Sequence, residues 1–153
     1  MGTRGKLEVD IDLKSKPDKF WETIRNSTDI FPKAFPTDYK SIDILEGDGK
    51  AAGSIRHITY AEGSPIVKSS KEKILAADDT KKTVSYAVIE GDLLKYYDKF
   101  IGHITVTPSG EGSEVKWTAE YHKASPDVPD PTVVKDFAVK NFLEVDAYVL
   151  ANA

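Results

Sequence analysis

The side chains with chemical potential are few. His57, His103 and His122 are the chain's three imidazoles and the natural candidates for metal ligation. Strand alternation sets each on the face opposite its neighbour Ile58, Ile104 or Tyr121, so all three are predicted to point outward. They show neither a His-Glu-x-x-His pattern nor the spacing of a facial triad. The chain has no cysteine, which excludes disulfides, thiolate nucleophiles and cysteine-ligated metals. No metal and no cofactor is predicted. The stretch Gly47-Asp48-Gly49-Lys50-Ala51-Ala52 matches the dinucleotide pattern G-x-G-x-x-A by letters. That chemistry needs a helix N-terminus behind the turn to face a pyrophosphate, and here a strand-like run, Ser54 to Tyr60, follows instead. The glycines are read as a hairpin turn.

Lys68, Tyr86 and Asp98 are of the types that acid-base catalysis uses. Gathered in a desolvated space, a lysine and a tyrosine beside a carboxylate shift toward working pKa values. Arg56 and Asn141 add polar tips that periodicity directs to the same side. Whether these residues meet depends on the elements that carry them.

Lys6 to Leu13 alternates strictly between charged and apolar residues and is predicted as a half-buried strand. Ser15 is a plausible N-cap, with Pro17 in the first turn of a short helix whose apolar stripe is Phe20, Trp21 and Ile24. A second short helical segment, Thr28 to Phe31, is predicted to stop at Pro32. Turn residues then separate six further strands, at about 39–46, 53–61, 66–76, 81–90, 94–107 and 113–122. Asp130 as N-cap and Pro131 at N1 open a long helix to about Leu150, with Lys68-Ser69-Ser70-Lys71-Glu72-Lys73 read earlier in the chain as a solvated strand face. The long helix buries Val134, Phe137, Ala138, Phe142 and Val145, leaves Asp146 to the flank, and holds Asn141 inside the apolar stripe. The architecture predicted is α+β: a seven-stranded curved antiparallel sheet around a long C-terminal helix, two short helices following the first strand, residues 1–153 forming a single domain.

Parity assigns the sheet face that meets the long helix. It carries Ile11, then Arg56, Ile58 and Tyr60, then Ile66 and Lys68, then Val84, Tyr86 and Val88. Asp98, Phe100, Gly102 and Ile104 follow on the next strand, and Trp117 and Ala119 on the last. Gly102 and Ala119 remove side-chain volume mid-strand, which leaves room beside apolar walls with scattered polar tips, the composition of a ligand pocket. A filled core with paired polar groups, such as an Arg56 to Asp98 ion pair, accounts for the same parity. The residues alone leave both readings open.

At 153 residues with 40% hydrophobic and 30% charged residues, the chain has the composition of one globular unit. A net charge of −4 gives no positive field to draw nucleic acid or anionic lipid. No apolar run reaches the roughly 18–20 residues of a membrane span, and the first residues lack the apolar core of a secretion signal. A cytoplasmic protein without membrane insertion, a monomer or weak dimer, is predicted.

Several segments, in order, resemble the Bet v 1-like superfamily, and within it the major latex protein branch. They are Ile30-Phe31-Pro32-Lys33-Ala34-Phe35-Pro36, Leu45-Glu46-Gly47-Asp48-Gly49 through Gly53-Ser54-Ile55, Ile58-Thr59-Tyr60-Ala61-Glu62-Gly63, and Val84-Ser85-Tyr86-Ala87-Val88-Ile89-Glu90-Gly91-Asp92. Val133 to Phe142 and Ala147-Tyr148-Val149-Leu150-Ala151 complete the match. The resemblance implies a helix-grip fold in a plant intracellular carrier that holds a hydrophobic small molecule, a steroid, hormone or other secondary metabolite, and is linked to defence or stress response. It favours the pocket over the filled core, and it adds Ile24 and Phe31 to the ligand-lining set together with Val134, Phe137, Ala138, Asn141, Phe142 and Val145. The alternative it implies is a cavity enzyme acting on alkaloid-like substrates by acid-base catalysis, with Lys68, Tyr86 and Asp98 as its set.

Overall fold

The structure is a computed structural model that describes residues 4–62 and 68–152. The alternating N-terminal run forms β1 (Arg4–Leu13), followed by helices α1 (Pro17–Arg25) and α2 (Ser27–Ala34). Six strands follow: β2 (Tyr39–Glu46), β3 (Ile55–Tyr60), β4 (Ser69–Asp78), β5 (Thr83–Gly91), β6 (Tyr97–Ser109) and β7 (Gly112–Lys123). A 3-10 turn at Asp92–Lys95 joins β5 to β6, and α3 (Thr132–Ala151) closes the chain. All neighbouring strands are antiparallel, in the order β1-β7-β6-β5-β4-β3-β2. This is the predicted α+β helix grip, with β1 and β2 as the sheet edges. No helix among the described residues is long and apolar enough to cross a membrane.

The core is densest where α3 meets α1 and the β1–β7 side of the sheet. Phe20, Val115, Trp117 and Val145 are fully buried there, and the Phe20 and Phe142 rings lie 6.1 Å apart. Ile11, Leu13 and Val149 belong to the same cluster. Val145, with no exposure, and Ile11 thus pack in solid core.

Several boundaries differ from the sequence expectation, each for a tertiary reason. Ser15 does not cap α1; the N-cap is Lys16, without a side-chain bond. Ser15 Oγ donates instead to Asp146 Oδ1 at 2.6 Å, and the backbone amides of Lys14 and Ser15 donate to the same carboxylate at 3.0 and 2.9 Å. Asp146 is therefore buried rather than flanking. α2 continues through Pro32 to Ala34, forgoing one amide donor, and ends with Phe35 N–H bonded to Phe31 C=O. α3 starts at Thr132 with Pro131 as N-cap, because the Asp130 carboxylate is engaged by the Tyr121 hydroxyl at 2.7 Å and by Lys123 at 3.1 Å. β6 starts at Tyr97, since residues 92–95 curl into the 3-10 turn that buries Leu93. Ile66 lies outside the described residues.

Candidate functional site

A cavity of about 170 Å³ lies between the first half of α3 and the β2–β6 part of the sheet. From α3 it receives Val134, Phe137, Ala138, Asn141 and Phe142, and from the α1–α2 pair Ile24, Ser27 and Phe31. The strands contribute Arg56, Ile58 and Tyr60 of β3, Val84, Tyr86 and Val88 of β5, Phe100 and Ile104 of β6, and Trp117 of β7. Most of the inward face read from parity thus surrounds one space.

The remaining sequence candidates do not. Ile11, Val145 and Ala119, the last fully buried, sit in packed core away from the cavity. Gly102 faces inward, but its vacancy is taken: it pairs across the ladder with Tyr86, whose ring lies where a Cβ would stand. Gly5 sits under Tyr121 in the same way, opposite it in the β1–β7 ladder. Lys68 precedes β4 and is exposed, its backbone amide donating to Asp92. Asp98 sits at a register shift: Tyr97 pairs with Lys123 and Lys99 with His122, so the extra residue loses the parity of Phe100. It turns outward and bonds the His122 ring. The set Lys68, Tyr86 and Asp98 is therefore not assembled, and the Arg56 to Asp98 pair does not form.

Arg56 has other partners. Its Nη1 donates to Ser27 Oγ at 2.7 Å, and its Nη2 lies 3.4 Å from Glu72 Oε1. Glu72, Ser70 and Ile74 line the cavity from β4, and Tyr39, Ile42 and Leu93 line it elsewhere. The signal for the β4 residues was present. Parity carried forward from Lys68 places Ser70, Glu72 and Ile74 inward, yet the interleaved lysines make the run look solvated. Lys71 is indeed on the outside, 2.7 Å from Glu90.

Burial dominates the electrostatics. It pushes the Glu72 carboxyl above its ordinary range, with Arg56 opposing the shift. It likewise raises the hydroxyls of Tyr39, Tyr60 and Tyr86, which stay protonated as neutral hydrogen-bonding groups. Trp117 Nε1 donates to the Tyr86 hydroxyl at 3.1 Å. Tyr39, Tyr60 and Phe137 form an aromatic trio with centroids 5.8 to 5.9 Å apart, joining sheet to helix. Arg56 Nε and Asn141 Nδ2 are buried without a hydrogen-bond partner.

Arg25 and Gly49 also line the cavity. Arg25 stacks 5.7 Å from the Trp21 ring centroid and bonds Asp79 at 3.1 Å, and Trp21 Nε1 reaches the same carboxylate oxygen at 2.9 Å. The glycine loop folds around Asp48, whose Oδ1 accepts the Lys50 and Ala51 amides, each at 2.8 Å. Gly49, at φ 81°, lies so close to Ile44 that a Cβ would stand 2.9 Å from its Cδ1. On the opposite sheet face, Ser85 Oγ, His103 and Glu120 form a hydrogen-bonded chain of 2.7 and 2.6 Å. The order matches a nucleophile, base and orienting acid, but the neighbouring strand amides are committed to the ladders and furnish no oxyanion hole. Among the described residues no group of three or more potential metal ligands occurs.

Comparison with known proteins agrees with this architecture. The sequence profile of the pathogenesis-related protein Bet v 1 family matches residues 2–152. MLP-like protein 423 of Arabidopsis thaliana is 52% identical over 150 residues, which cover 98% of this chain and 97% of that protein. Ginseng major latex-like protein 151 from Panax ginseng superposes with a TM-score of 0.89 at 29% identity, over 97% of this chain and 99% of the other. Norcoclaurine synthase from Thalictrum flavum, with bound dopamine and hydroxybenzaldehyde, shares the fold at a TM-score of 0.75 and 21% identity, over 98% of this chain and 88% of that one.

Proposed function

The chain belongs to the pathogenesis-related protein Bet v 1 family, a small-molecule-binding fold, and on that premise we propose that it is a carrier of a hydrophobic plant metabolite held in the cavity under α3. The observation that carries the reading is the cavity itself: apolar and aromatic walls from sheet and helix, interrupted by a few converging polar groups. Such walls supply affinity and such groups supply orientation. Burying ~300 Å² of apolar ligand surface at ~25 cal/mol per Å² contributes ~7 kcal/mol, which alone corresponds to about 10 µM, and ordering costs weaken it while the polar contacts add to it. The ligand-lining set proposed is the part of the predicted set that borders the cavity, with Glu72, Ser27 and Tyr39 added. A role inside plant cells in defence or stress response, as one 153-residue unit that is monomeric or weakly dimeric, completes the proposal.

Catalysis finds no comparable support, since the acid-base residues named from sequence do not meet. The test is a titration with an environment-sensitive apolar dye, 1-anilinonaphthalene-8-sulfonate. Saturation at about one equivalent in the low-micromolar range or weaker is expected, and Ala138→Trp, which fills the cavity from the helix side, should weaken it at least tenfold. Non-saturating binding that ignores the tryptophan overturns the reading.

A further inference from the structure

The polar groups of the cavity wall are unevenly divided between donors and acceptors. Ser27 Oγ accepts from Arg56 and the Tyr86 hydroxyl accepts from Trp117, so each keeps its own proton to give. Arg56 Nε and Asn141 Nδ2 have no acceptor at all, and Asn141 is only 8% exposed. The charge facing the space is that of the Arg56 and Glu72 pair, since Arg25, which also lines the cavity, is already met by Asp79 at 3.1 Å. The pair between Arg56 and Glu72 is loose: 3.4 Å, against the ~2.7–2.9 Å of a tight charge-assisted bond. A cavity with spare donors and a guanidinium held only loosely by its carboxylate is complementary to a molecule that brings oxygen acceptors and a negative charge.

We propose that the occupant is an apolar molecule with a carboxylate head, that this head displaces Glu72 from Arg56 and takes Asn141 as a further donor, and that the displaced Glu72 carboxylate takes up one proton from solvent. The proposal rests on the carrier reading and names the ligand class of the same site. The only bonds that change are those of the proton: an O–H bond forms on the Glu72 carboxylate and the buffer acid loses its proton. The charged and titratable groups around Glu72 are Arg56 and Tyr60 of β3, Tyr39 of β2 and Tyr86 of β5. Arg25 is the cavity's contribution from α1, and the α3 residues that line it carry no charge. Arg56 alone holds the Glu72 carboxyl down against burial, and the phenols stay protonated. An incoming carboxylate occupies Arg56 and adds negative charge nearby, and both changes favour protonated Glu72. Binding of the acid therefore strengthens as pH falls, levels off once Glu72 is already protonated in the free protein, and weakens when the ligand itself protonates.

Three probes of one shape separate the possibilities: 1-naphthaleneacetate, its methyl ester and 2-(1-naphthyl)ethylamine, titrated calorimetrically near pH 7 in phosphate and in Tris to count protons. The acid should bind at least about tenfold tighter than the ester or the amine, with proton uptake approaching one per site. Glu72→Gln should keep the preference for the acid and abolish the uptake. Arg56→Gln should bring acid and ester to equal affinity, with its thermal midpoint showing that the variant is folded; if it does not fold, loss of uptake in Glu72→Gln decides. Asn141→Leu should weaken the acid more than the ester. Equal affinity for acid and ester, tightest binding of the amine, or uptake that survives Glu72→Gln overturns the carboxylate proposal and leaves the carrier reading standing. If none of the three probes saturates the protein, the carrier reading falls, and this proposal with it.

Discussion

Gly102 shows how a single missing side chain is read differently from sequence and from structure. Alternation correctly turns it inward on β6, but alternation reports direction and not occupancy. The tyrosine opposite it on β5 lays its ring over the bare backbone, so the space belongs to Tyr86. Gly102→Ala must push the ring toward the cavity and break its bond from Trp117. A cost of about 2 kcal/mol is expected, or a thermal midpoint lower by roughly 4–8 °C, together with weaker ligand binding. The cycle with Tyr86→Ala checks the mechanism: with the ring gone, the added methyl should cost almost nothing, a coupling of about 2 kcal/mol between the two sites. Additive effects would mean that Gly102 is required for backbone reasons alone. Ile58, Tyr86 and Asn141 were legible because each sits inside its element, where periodicity holds. Asp98 was not, because a one-residue bulge reverses a face and leaves no local mark in the sequence. Glu72 was obscured by composition: the lysines on either side of it belong to the other face.

At the scale of elements, α3 is held by a clamp that no helical wheel predicts. Asp146 projects from the helix into the β1–α1 connection and accepts three hydrogen bonds there, two from backbone amides and one from Ser15. Asp146→Asn retains the shape but turns one acceptor into a donor facing an amide, with an expected cost of about 2 kcal/mol; Ser15→Ala should cost about 1 kcal/mol. Chemical denaturation of the two variants measures both, and equal small losses would show the clamp to be incidental. The number of strands and their succession along the chain, both short helices and the long one follow from alternation, turn residues and prolines, which act within a few residues. The caps failed for the opposite reason. Ser15 and Asp130 are good capping residues by type, but each has a stronger partner from a distant element: Asp146 for the first, Tyr121 and Lys123 for the second. For Ser15 the buried, charge-assisted bond to Asp146 outweighs the local capping preference, and Asp130 is drawn off by two partners at once.

Across the whole molecule, packing is divided lengthwise along α3. From Phe142 onward the helix lies on solid core with α1, β1 and β7, and before Phe142 it roofs the cavity. Amide hydrogen exchange should register the division. Helix amides around Val145 should open only with global unfolding, those of residues 134–141 sooner, and ligand should slow the second group by a factor approaching 1 + [L]/Kd. Uniform protection along the helix, unchanged by ligand, would contradict it. The same division gives mutation two separate outlets. Substitutions around Val145 and Val115 are judged by whether the chain folds at all, whereas those at Phe137, Ala138 or Val84 reshape the wall of the cavity. Over generations, such a chain can change what it holds through a few exchanges in the hollow half while the solid half goes on specifying the same shape, so descendants of one scaffold can come to serve different molecules without ever passing through an unfolded ancestor.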